Sequence, residues 1–188
     1  MSRRYKFYNQ DELYFVTYAT VGWVDVFTRV EYVRVILDSL KYCSNNKGLD
    51  IYAWCIMTNH VHLIIGTHGN KLEDILRDHK RHTSELLKAA ILNGTESRRE
   101  WMMQIFVNAG LNNSNNKSFQ FWQQHNKPIA LTSLEMLNQK LQYLHFNPVK
   151  AGFVDKAEDW FYSSARDYYT DSKGLLDCVK ILEAMPAK

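Results

Sequence analysis

Hydrophobic and polar positions change period several times along this chain, and each change marks an element. Residues 13–21, LYFVTYATV, alternate and are rich in β-branched and aromatic types, which predicts a strand. In EYVRVILDSLKYCSNN (31–46) the apolar positions Val33, Ile36, Leu37 and Leu40 recur at helical spacing, and Asn46 and Gly48 close that helix. IYAWCIM (51–57) and HVHLIIG (60–66) read as two strands joined by a tight turn at Thr58-Asn59. A second helix is expected over 71–92, with Leu72, Ile75, Leu76, Leu86, Leu87, Ala90 and Ile91 as its apolar stripe.

Periodicity fails over 93–118, where NGTESRRE and NNSNNKS flank a short apolar piece, WMMQIFV. This composition predicts a long, partly flexible excursion. FQFWQQH (119–125) suits a short strand or an extended loop. LTSLEMLNQKLQYLHF (131–146) predicts a third helix, opened by a capping box of Thr132 and Glu135 and ended by Asn147-Pro148. A further short helical stretch is expected in the tail, near LLDCVKILEAM. The order matches a ferredoxin-like βαββαβ pattern: an α+β fold with an antiparallel sheet, helices on one face and an additional helix.

Composition narrows the class without choosing a function. The 188 residues suggest one domain over 1–188, and 46% hydrophobic with 23% charged residues describe an ordinary globular protein. Three cysteines with no C-x-x-C spacing point to a reducing compartment, hence the cytoplasm. MSRRYKFYNQDE lacks the apolar region of a signal peptide, and no apolar run approaches the ~20 residues that span a bilayer. A net charge of +3 permits a nucleic-acid partner without requiring one.

The chemistry begins at MTNHVHLII (57–65). In a strand, His60 and His62 point to one face while Val61, Leu63 and Ile65 point to the other. Two imidazoles roughly 7 Å apart along a strand can converge on one ion. H-x-H alone is a weak signal and more often marks two hydrogen-bonded histidines on a half-exposed face.

On the third helix, Leu134, Leu137, Leu141 and Leu144 cluster on one side, and Tyr143 lies well off that cluster. Met136, Gln139, Lys140 and Asn147 share its more polar face. On the second helix Arg77, Lys80, Arg81, Ser84 and Lys88 recur away from the leucine stripe, which suits phosphate contacts or a solvated face. Arg3, Arg4 and Lys6 could also reach a backbone, and Trp122 could stack on unpaired bases.

MTNHVHLII together with YLHFNPVKAG (143–152) resembles the HUH single-tyrosine transposases, in which U is a hydrophobe. Within them the chain is most similar to the REP-associated, IS200-like branch, a likeness extended by FWQQHNKPIAL (121–131) and WFYSSARDYY (160–169). The resemblance covers about residues 10–170 and implies a ferredoxin-like fold whose extra helix is catalytic. It implies cleavage and joining of single-stranded or hairpin DNA through a covalent 5′-phosphotyrosine. Tyr143 would be the nucleophile, with a divalent metal, Mg²⁺ or Mn²⁺, held by His60, His62 and Asn147. Many relatives carry glutamine where this chain has Asn147. Arg77, Lys80, Arg81, Lys88 and Lys140 would contact DNA. Some relatives act as homodimers, others as monomers, and the setting implied is the bacterial cytoplasm, at the nucleoid when bound to DNA. Two other functions compete: a non-catalytic DNA or RNA hairpin-binding protein, and a metal-dependent hydrolytic nuclease without a covalent step.

Overall fold

The structure, a computed structural model, describes residues 7–113, 118–124, 126–179 and 181. Its element order is β1 (Tyr14–Ala19), α1 (Val30–Lys47), β2 (Leu49–Ile56), β3 (His60–Thr67), α2 (Leu72–Asn93), α3 (Arg99–Leu111), β4 (Ile129–Ala130), α4 (Leu134–His145), α5 (Asn147–Lys150) and α6 (Ala165–Tyr169). Short 3₁₀ turns occupy Val21–Trp23 and Ala157–Asp159. The sheet runs β2-β3-β1-β4, antiparallel throughout, which is the expected ferredoxin-like α+β order.

Alternation along β1 divides the protein into two cores. Tyr14, Val16 and Tyr18 face α1 and α2, joining Val33, Ile36, Leu40, Ile75 and Leu76 in the larger cluster. Phe15 faces the other way, toward Leu137 and Leu144 of α4. The expected additional helix therefore lies against the opposite face of the sheet.

A register shift between Ile51 and Ala53 in β2 completes this second face. It turns Ala53, Cys55 and Met57 toward α4 while Trp54 and Ile56 remain in the larger core. At the other end of the sheet, Gly48 caps α1 in the left-handed region, its N–H donating to the Cys43 carbonyl. A side chain there would meet the Gly69 backbone at 2.7 Å, so two glycines let the α1–β2 and β3–α2 turns touch.

Three local expectations change. The excursion over 93–118 carries the thirteen-residue helix α3, whose Met102 and Phe106 are buried in the main core; residues 114–117 lie outside the described set. Apolar positions in WMMQIFV are too few to reveal a helix whose flanks are polar. The α4 cap is Ser133, whose Oγ accepts from the Met136 N–H, while Thr132 Oγ1 contacts the Met136 sulfur. Glu135 thus falls at the second helical position, one short of a capping box. In the tail, residues 175–179 are not helical, and Lys180 and 182–188 lie outside the described residues, as do Arg3, Arg4, Lys6 and His125.

Candidate nucleic-acid processing site

Thr17 and Ala19 of β1 pair with His62 and His60 of β3, so the histidine face of the sheet is fixed by the ladder. Both imidazoles point toward α4, and their Nε2 atoms approach to 3.0 Å. Each ring is held from behind. His60 Nδ1 donates to Asn59 Oδ1 at 2.6 Å, and His62 Nδ1 shares a 2.7 Å hydrogen bond with the Thr17 hydroxyl. His62 is buried and His60 half-buried. Burial lowers the His60 pKa to about 4 and, aided by His60 and Lys140, the His62 pKa to about 3. Both rings are therefore neutral at pH 7, the form that ligates metals.

Asn147, first residue of α5, approaches the same point: its amide lies 3.3 Å from His62 Nε2. The break between α4 and α5 at Phe146 is what aims it there, since Pro148 begins a new helical turn. A half-turn of the amide exchanges nitrogen for oxygen. The donor set is then two neutral imidazoles and one amide oxygen. It fits a divalent cation: when Thr17 accepts from His62 Nδ1, both Nε2 lone pairs face one another, an arrangement that a shared cation satisfies. Among the described residues no cluster of three His, Cys, Asp or Glu forms here, and the three donors just named are uncharged.

Tyr143 stands on the other side of His62, ring centroids 5.3 Å apart and planes at 73°. Its ring also meets Phe15 edge-on at 5.9 Å. Leu137 and Leu144 anchor α4 to the sheet, which leaves Tyr143 41% exposed at the rim. Lys140 Nζ lies 5.6 Å from the tyrosine ring and Lys150 Nζ 5.9 Å from it. A cavity of about 380 Å³ joins these groups, lined by Phe15, Thr17, Trp23, His60, His62, Lys127, Ile129, Tyr143 and Asn147.

Four of the residues singled out in the sequence thus share one cavity, and Lys140 stands at its edge. The basic row of α2 does not join them, because α2 packs on the opposite face of the sheet. Arg77 is exposed and paired with Asp74 and Asp78, and Arg81 lies 3.8 Å from Asp78. Lys88 rests over the Phe119 ring at 4.9 Å. Lys80 turns inward and donates to the Gln123 carbonyl and to Asn126 Oδ1, at 2.8 and 2.9 Å. Burial lowers its pKa to about 8. It braces the loop before β4, which corrects its reading as a phosphate contact. Trp122 is buried, its indole N–H donating to Thr83, so it is no stacking surface. Thr17, Asn59, Trp23, Lys127 and Lys150 were missed. A threonine on the apolar strand face opposite the histidine pair was the one signal available.

A strand carrying H-x-H that faces a tyrosine-bearing helix is the arrangement that the resemblance to transposase-like DNA-processing enzymes implies. The family model described as Transposase IS200 like matches residues 24–116, a span that includes both histidines and ends before Tyr143. Over that span the chain is similar to the IS200-like transposases, as its motifs imply. The structure is similar to that of a REP-associated tyrosine transposase bound to a REP hairpin: 17% identity, TM-score 0.64, 94% of each chain covered. At that identity the likeness speaks for the fold alone. A proposed transposase from Deinococcus radiodurans R1 is 16% identical over 78% of this chain and 97% of that one, with a TM-score of 0.41, too distant to bear on the fold. No curated protein matches the sequence. No helix among the described residues is long and apolar enough to cross a membrane.

Proposed function

We propose that the protein cuts and rejoins single-stranded or hairpin DNA through a covalent 5′-phosphotyrosine at Tyr143. The observation that carries this reading is the placement of the Tyr143 ring against His62, across a cavity that also holds His60 and Asn147. A tyrosine at the rim of a metal-type donor set suits attack on a phosphodiester better than it suits packing.

His60, His62 and Asn147 would hold a divalent ion, Mg²⁺ or Mn²⁺. Such an ion, when bound, neutralises charge on the non-bridging phosphate oxygens and orients the phosphate. The protein's own groups do the rest. Thr17 and Asn59 fix the ring orientations of the histidines. Phe15 and His62 hold the tyrosine ring edge-on, which limits its rotation before attack. Lys140 and Lys150 flank the phenol and favour approach of an anionic phosphate. As the Tyr143 oxygen bonds to phosphorus, the P–O3′ bond breaks; the phenol loses its proton and the departing 3′-oxygen gains one. The ester to tyrosine conserves the phosphodiester bond, so a 3′-hydroxyl can reverse the step and join strands. The DNA hairpin bound by the structurally similar transposase makes hairpin DNA the first substrate to try.

The test incubates labelled hairpin DNA with protein and Mn²⁺, then separates products on a denaturing gel. A protein–DNA adduct is expected with wild type and none with Tyr143→Phe. Cut DNA without an adduct would favour hydrolysis, and a retarded native complex without cutting would favour the hairpin-binding reading. Either result overturns the proposal.

A further inference from the structure

Beyond the histidines, at the end of the cavity opposite Tyr143, lies Trp23. The order is set by the sheet: Phe15, which touches Tyr143, is followed along β1 by Thr17 beside His62, Ala19 beside His60, and then the turn that carries Trp23. Ring contacts repeat that order. Trp23 meets His60 at 5.6 Å, His60 meets His62 at 4.6 Å, and His62 meets Tyr143 at 5.3 Å.

The indole is 54% exposed, a large apolar face left open beside a polar site. Its backbone is held in a conformation that bulky residues avoid, with φ at +54°. Among the described residues the other non-glycine position with positive φ is Lys127, at +41°, and it lines the same cavity. Strain of this kind persists only where the surroundings enforce it. Here they do: Trp23 N–H donates to the Thr20 carbonyl, Asn59 Nδ2 donates to the Trp23 carbonyl, and Gly22 packs against Ile105 of α3 so closely that a Cβ would come within 3.1 Å. Asn59 is also the residue that orients His60, so one side chain fixes both the indole's backbone and the ligand.

We infer that Trp23 is a stacking subsite for an unpaired nucleobase, that of the nucleotide carrying the departing 3′-oxygen. The inference rests on the reading of Tyr143 as nucleophile. In-line displacement at phosphorus puts the leaving oxygen opposite the attacking one. With Tyr143 at one end of the cavity, the leaving nucleoside lies toward the other, where an exposed indole offers the π-face that every base can use. Lys127, also lining the cavity, supplies positive charge for a neighbouring phosphate. Such a subsite holds the free 3′-end in place after cleavage, keeping it available for rejoining.

The test uses two oligothymidine probes, one ending in 2-aminopurine with a 3′-hydroxyl and one beginning with 2-aminopurine on a 5′-phosphate. Both are titrated in EDTA against Tyr143→Phe protein, so that neither metal nor reaction contributes. Fluorescence of the 3′-probe is expected to be quenched, and its affinity to fall roughly tenfold in Trp23→Gly, with Trp23→Phe restoring most of it. Glycine accepts the φ of +54°, so that variant removes the ring without adding strain. Equal quenching and affinity in Trp23→Gly would overturn the assignment, as would Trp23-dependence confined to the 5′-probe. The denaturing-gel assay separates the two readings. Trp23-dependent quenching with no adduct in wild-type protein sinks the cleavage reading and leaves a base-binding subsite. An adduct without such quenching sinks the subsite alone.

Discussion

The Nε2 atoms of His60 and His62 face each other at 3.0 Å, while Asn59 and Thr17 hold the far side of each ring. Two neutral imidazoles aimed at one point form a site whose orientation depends on the residues behind it. The double variant His60→Ala, His62→Ala should abolish Mn²⁺ binding measured by calorimetry. Thr17→Val keeps both ligands but frees the His62 ring, and should weaken binding by roughly 10–100-fold. Undiminished affinity in the double variant would remove the proposed site.

Lys80 and Arg81 are neighbours on α2 with opposite fates. Lys80→Ala leaves the Gln123 carbonyl and Asn126 Oδ1 without their donor and should destabilise the fold by about 1–3 kcal/mol. Arg81→Ala, on an exposed side chain 3.8 Å from Asp78, should stay within about 0.5 kcal/mol of wild type. Urea unfolding of both variants checks the contrast.

Glu96 is the acid-sensitive point. Its carboxylate, with a side chain only 1% exposed, receives Arg98 through two nitrogens and Arg29 at 3.1 Å. The Arg98 hydrogen bonds and both positive charges hold its pKa at about 2, below the usual carboxylate range. A folded pKa depressed in this way stabilises the protein above the unfolded value near 4.5, and the contribution is lost as pH falls toward about 2. Glu96→Gln should therefore lower stability at pH 7 by about 3 kcal/mol, with the gap narrowing steadily below about pH 4.5. A gap independent of pH would contradict this.

Leu144 is fully buried where α4 meets the sheet. Leu144→Ala should destabilise the fold by about 2–5 kcal/mol. Because the same helix carries Tyr143 next to it, adduct yield should fall while Mn²⁺ binding by the histidines on β3 changes less. Parallel gel and calorimetry measurements distinguish these effects.

The order β-α-β-β-α followed by a separate amphipathic helix was legible because period-2 and period-3.6 patterns are local properties of the chain. The common strand face of His60 and His62 followed from the same alternation, and the off-stripe position of Tyr143 from helical geometry. Helix α3 was hidden because its ends are polar and its few buried residues, Met102 and Phe106, do not repeat often enough to reveal a period. The α4 cap missed by one residue because Thr132 and Ser133 can both act as caps, and the docking of α4 chose the second.

What the sequence could not contain is which surfaces meet. It placed Lys80, Arg81, His62 and Tyr143 on their own elements without saying that α2 and α4 lie on opposite faces of the sheet. Packing decides that, and it turned Lys80 into an internal brace. Asn147 reached His62 only because the chain breaks at Phe146 and restarts at Pro148. Trp23 became part of the cavity through the Asn59 side chain and the packing of the preceding Gly22 against Ile105, residues distant in the chain. Side-chain periodicity fixes which way a residue faces on its own element; the distances that make a site arise only when elements from different parts of the chain are packed together.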